Sequence, residues 1–174
     1  MSLPSPDASP LREATDPFVQ TSAVLTGFSA VELWGTGMVA SYRQVLQEAA
    51  SAPIADRLVA TGEAIFRRTP HNPAAVDEAF RHEILADATL GPVARGLIQL
   101  WYLGAWTQLP AIWRRDHGAN PGDQSRVISA QSYPNALVYL AADTHPPGAR
   151  QPGYGSWALP ATSVQARRPG EEQP

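Results

Sequence analysis

The chain has no cysteine. That excludes disulfides, a cysteine-based zinc site and a thiol nucleophile, and it leaves the compartment open. Lysine is also missing: all 13 basic residues are arginine, which we read as genome composition. Against 16 acidic residues the net charge is −3, with no basic cluster, so nucleic acid is not an expected partner. No run reaches the roughly eighteen apolar residues of a membrane span, because Arg95 and Gln99 interrupt the best candidate. Met1 to Asp16 is rich in Pro, Ser and Asp and carries no apolar stretch, so no signal peptide is expected in it. The arginine pairs at 67–68, 114–115 and 167–168 sit too far along to serve as a twin-arginine export signal. The chain is expected to enter no membrane unaided.

Catalytic signatures are equally scarce. There is no G-x-S-x-G, no H-E-x-x-H and no P-loop. His71, His82, His117 and His145 show no metal-ligand spacing, so no metal site is expected. One motif invites an enzymatic reading. Gly35, Gly37 and Ala40 fit a G-x-G-x-x-A dinucleotide fingerprint, with Asp56 about twenty residues on. That chemistry needs a buried strand before the first glycine and a phosphate at the following helix N-terminus. Here SAVELW precedes it, with Glu32 inside. The competing reading is two glycines that let helices approach closely.

What the chain does have is Leu90 to Gln108, LGPVARGLIQLWYLGAWTQ. Its apolar residues recur at three and four: Leu90, Val93, Ala94, Leu97, Ile98, Trp101 and Ala105 form one helical stripe. Pro92 suits the first turn. The opposite side begins as solvent face with Arg95 and Gln99, then turns apolar at Leu103 and Trp106. Such an end must be covered on both sides, by the chain's own tail or by another protein.

Around this helix the other elements fall in order. Residues 1–14 read as a disordered leader. Asp16 and Pro17 open a short helix to Leu25, broken by Thr26-Gly27-Phe28. Ser29 and Glu32 make a capping box for a helix to Ala50, with Val31, Trp34, Met38, Tyr42 and Val45 on one stripe. Pro53 opens a third helix to about Arg67, and Asn72-Pro73 a fourth in which Val76, Phe80 and Ile84 repeat at four. Pro110 to Asp123 reads as a loop, Val127-Ile128 as at most a short strand, and Ser132 as the cap of a short helix through Leu137 and Leu140. From Thr144 the chain is rich in Pro and Gly and aperiodic, yet keeps Tyr154 and Trp157. We therefore expect an all-α domain of about five helices over residues 15–164, ending in an irregular, extended segment, with 165–174 disordered.

The ordered set LTGF at 25–28, WYLG at 101–104, SYPNAL at 132–137 and PGYGSWALP at 152–160 resembles the small, or gamma, subunit of bacterial FAD-dependent sugar and polyol dehydrogenases. That family serves sorbitol, fructose, gluconate and glucose enzymes. The resemblance spans residues 17 to 164 and is patchy between 50 and 88. It implies a non-catalytic helical protein, with no cofactor of its own, clamped onto a large FAD-binding catalytic subunit of the glucose-methanol-choline type. It implies a chaperone-like role in folding that subunit, in many members a multihaem c-type cytochrome as third partner, and a periplasmic complex. The family's small subunit commonly carries the twin-arginine signal; this chain departs there, has an insertion around 114–126, and lacks the cysteine some members have near the terminal motif. The expected partner interface is Leu103, Trp106, Tyr154 and Trp157, since interfaces concentrate aromatics at their buried centre. The competing reading is that the tail covers this domain's own core. Outside this family, the competing class is an independent helical ligand-binding or regulatory protein.

Overall fold

The computed structural model describes residues 16–144 and Pro146, and these form an all-α fold of eight α-helices, one π-helical segment and a two-stranded ladder. The first helix, α1 (Pro17–Thr26), starts as its residues dictate. Asp16 accepts the N–H groups of Phe18 at 2.9 Å and Val19 at 3.3 Å, with Pro17 in the first turn. Next comes α2 (Ala30–Gly35), opened by the capping box: Ser29 N–H donates to the Glu32 carboxylate at 2.7 Å, and Glu32 N–H donates to Ser29 Oγ at 3.3 Å. The Ser29 hydroxyl, and behind it the Ser29 N–H, hold the Glu32 carboxyl below its usual range.

The single helix expected from Ser29 to Ala50 is in fact two. Gly37 sits at φ +70°, which a helix cannot continue through. Thr36 Oγ1 donates to the Leu33 carbonyl and accepts from Met38 N–H, closing the turn. The chain restarts as α3 (Val39–Ala50). Val31 is consequently 78% exposed, while Met38, Tyr42 and Val45 stay buried. One residue, Ser51, joins α3 to α4 (Ala52–Arg68), where Leu58 and Ile65 face the core.

Asn72 caps α5 (Pro73–Ala79), its side chain accepting from Ala75 N–H at 3.1 Å. The helix then widens into a π segment, Phe80–Leu85, with a five-residue bond from Ala86 N–H to the Arg81 carbonyl at 3.0 Å. Phe80 and Ile84 are both buried on it.

The central helix is α6 (Leu90–Leu103), shorter than the periodicity of 90–108 suggests because Gly104 ends it in the left-handed region. It packs against α1, α3, α4, the π segment, the short strand that follows it and the last described helix. Leu90, Val93, Ala94, Leu97, Leu100 and Trp101 are all buried, whereas Arg95 and Gln99 face solvent. The Trp101 ring meets Tyr42 edge-on at 4.8 Å and Phe18 at 6.5 Å. The expected loop 110–123 contains another helix, α7 (Ala111–His117), anchored by the buried Trp113, whose indole N–H donates to the Thr89 carbonyl at 2.8 Å. Strands β1 (Ala105–Trp106) and β2 (Arg126–Val127) pair antiparallel, Ala105 opposite Val127. The last helix, α8 (Leu137–Ala141), starts after Ala136; Ser132 does not cap it but bonds back to Ser129. Among the described residues no helix is long and apolar enough to cross a membrane.

Candidate partner-binding surface

The end of α6 is where distant parts of the chain meet. Tyr102 is half-buried. Its hydroxyl donates to the Thr26 carbonyl at 2.9 Å and its ring meets Phe28 edge-on at 6.0 Å. Two residues later, Gly104 takes φ +67° and its N–H donates to the Leu100 carbonyl at 2.9 Å, closing the helix. Any side chain at 104 would run into the carbonyl of Ser132, so the backbones touch here. The Gly104 carbonyl in turn accepts from Ile128 N–H at 3.3 Å. Thus LTGF, WYLG and SYPNAL, spread over more than a hundred residues, are joined through Tyr102 and Gly104.

The segments closing around Gly104 also carry exposed apolar side chains. Leu103 is 53% exposed, Val127 65% and Leu140 58%, with Tyr133 and Val138 exposed beside them in sequence. Tyr133 and Tyr139 pair edge-to-face at 5.5 Å. Burial first, then the bond to Tyr133, pushes the Tyr139 phenol up to about 12. Isolated exposed apolar residues are ordinary on a protein surface, and it is contiguous apolar patches that distinguish docking sites.

The four expected interface residues do not share one fate. Leu103 is on this exposed end. Trp106 is not: it has left the helix for β1, its ring lies against Gly96, and it is 1% exposed. Its indole N–H donates at 2.9 Å to Asp123, a carboxylate that is itself buried, accepts from Leu109 N–H at 3.0 Å, and lies 3.2 Å from Arg114 Nε. This locks the chain after α6 to the loop after α7. As a core residue, Trp106 offers no surface to a partner. Tyr154 and Trp157 lie outside the described residues. Tyr133, Val127 and Leu140 are surface residues that sequence reasoning did not single out, because their segments are too short to show a periodic face.

The glycine fingerprint is also resolved. Gly35 is the last residue of α2 and Gly37 belongs to the turn, so a capped helix stands where the motif needs a strand. His71, His82 and His117 are exposed, and among the described residues no group of His, Asp and Glu could hold a metal.

A second concavity lies beside this end of α6. An open groove of about 870 Å³ runs between the α1–α2 turn and the α4–α5 turn, walled by Val24, Phe28, Phe66 and Val76. Comparison with known protein families, with curated proteins and with solved structures finds no match to this chain.

Proposed function

We propose that this chain is a non-catalytic helical subunit that binds and stabilises a large FAD-dependent sugar or alcohol dehydrogenase subunit of the glucose-methanol-choline type. The observation that supports this most is the convergence at Gly104. Two of the segments behind the family resemblance, LTGF and SYPNAL, each touch a third, WYLG, at Tyr102 and at Gly104, and residues on or next to them are left exposed and apolar. On this reading the partner covers Leu103, Val127, Tyr133 and Leu140, and burying a few such side chains supplies about 1.5–3 kcal/mol each before the costs of association. Flavin and turnover belong to the large subunit, as does the choice of sugar or alcohol. In the family this chain resembles, a c-type cytochrome is often the third member of a periplasmic complex.

The test begins with the neighbouring genes, where the reading expects a large flavin oxidoreductase. Co-expression of that protein with this one should raise its soluble yield, and the two should co-purify with flavin absorbance in the complex and none in this chain alone. Flavin bound by the isolated chain, or no effect on the neighbour's yield, overturns the proposal.

A further inference from the structure

The groove beside α6 calls for an apolar occupant. Ala23, Val24, Phe28, Phe66 and Val76 are only partly buried along it. Four polar side chains at its rim are already engaged, Asn72 with Ala75 N–H, Thr69 Oγ1 with the Ile65 carbonyl, Ser29 with Glu32, and Asp77 with Arg81, which leaves His71 as an exposed polar group of the lining. A polar small molecule therefore finds few open partners there, while an aromatic segment finds walls of the right kind.

The chain supplies such a segment at the same end of the molecule. Phe28 of the groove touches Tyr102, Gly104 touches Ser132, and α8 packs on the end of α6 just before the described chain ends at Pro146. Beyond Pro146 the sequence continues for 28 residues (174 − 146), and among them are Tyr154, Trp157 and Leu159. An extended chain covers roughly 3.3 Å per residue, so Trp157 can reach about 36 Å from Pro146. A domain of this size has a radius of gyration of roughly 14 Å, which places the groove well within that reach.

We propose that residues 153–160 of this same chain occupy the groove, with Trp157 as the anchor. The tether gives the segment an effective concentration in the millimolar range, which a free competitor rarely matches. The indole adds large contact area at little cost in side-chain entropy. This inference rests on the groove and the length of the tail, and stands independently of the small-subunit reading.

Absence of cysteine makes a clean test possible in the full chain. Asp77 stands at the groove rim with its side chain 59% exposed, and Leu140 stands near the chain exit, 58% exposed. One variant carries Asp77→Cys with Ser156→Cys, the other Leu140→Cys with Ser156→Cys, and disulfide closure is followed by non-reducing electrophoresis. A tail that is not docked meets the nearer Leu140 site more often. Docking reverses that order: the Asp77 pair closes within one chain at least about tenfold faster, and adding Trp157→Ala removes the advantage. Equal or faster closure at Leu140 overturns the proposal and leaves the groove to another molecule. Closure of the Asp77 pair only between chains also overturns it, and assigns the groove to a second copy.

Discussion

Asp123 ties the chain after α6 to the loop after α7. It is 1% exposed, yet it satisfies the Trp106 indole and the Leu109 amide and faces Arg114. Replacing it with Ala leaves two buried donors unpaired and strands a cation. Each orphaned donor costs about 1–3 kcal/mol, so Asp123→Ala should cost roughly 3 kcal/mol and lower the melting temperature by about 10 °C. Asp123→Asn keeps an oxygen acceptor and should recover more than half of that loss in the same thermal melt. Tyr42 is the opposite case. Its hydroxyl is buried with no hydrogen-bond partner among the described residues, and burial pushes it up to about 12. A phenol whose folded pKa lies above its unfolded value of about 10 contributes stability that is complete below pH 10 and fades as pH rises toward 12. Tyr42→Phe should therefore be neutral or slightly stabilising at pH 7 and should remove an alkaline loss of about 1.4 kcal/mol at pH 11. Parallel denaturant titrations at pH 7 and 11 measure both.

At the scale of elements, local chemistry decides where helices begin, and it was largely legible. The Asp16 cap, the Ser29–Glu32 box and the Asn72 cap each stand where side-chain type and spacing put them. Where helices stop was less legible. Periodicity runs straight through Gly37 and Gly104, and whether a glycine ends a helix depends on what the next segment packs against; at 104 that is Ser132. The start of α6 shows the same dependence. Thr89 at its N-cap makes no side-chain capping bond; instead Asp87, two residues back, accepts from Thr89 N–H at 2.8 Å and Leu90 N–H at 2.7 Å. The Leu90 amide chiefly, then that of Thr89 and the charges of Arg57 and His117, hold its pKa below the ordinary value of about 3.9. A depressed carboxyl contributes stability above its unfolded pKa and loses it as pH falls through the folded value. Asp87→Ala should cost about 1 kcal/mol at pH 7, and the difference from the parent chain should begin to narrow below about pH 4 and shrink further as pH falls through the lower folded value. Thermal melts across pH 3 to 7 would show it; a gap that persists unchanged at pH 3 assigns the effect to something other than the ionised cap.

For the molecule as a whole, the question is what an apolar helix end does when its own chain covers only part of it. Leu103 was legible as the odd residue of α6, since Arg95 and Gln99 precede it at helical spacing and both are exposed. Trp106 was misplaced by the same extrapolation: the helix stops two residues earlier, and its hydrogen-bond partner lies 17 positions on. Once Trp106 is counted as core, the surface left to a partner is Leu103 with the neighbours the fold brings to it. That division has a measurable consequence. Exposed side chains contribute little to the stability of the isolated domain, so Leu103→Asp should shift its melting temperature by no more than about 2 °C. In the proposed complex the same change would put a carboxylate into a desolvated contact, where losing a central interface residue costs about 2 kcal/mol or more, a fall in affinity of roughly thirtyfold. Trp106→Ala should do the reverse, unfolding the domain before it can be assayed for binding, because about 3–5 kcal/mol is lost when a packed indole is truncated. Affinity for the large flavoprotein and melting of the free chain, measured on both variants, separate the two roles. If Leu103→Asp binds as well as the parent, the apolar end of α6 is not the contact.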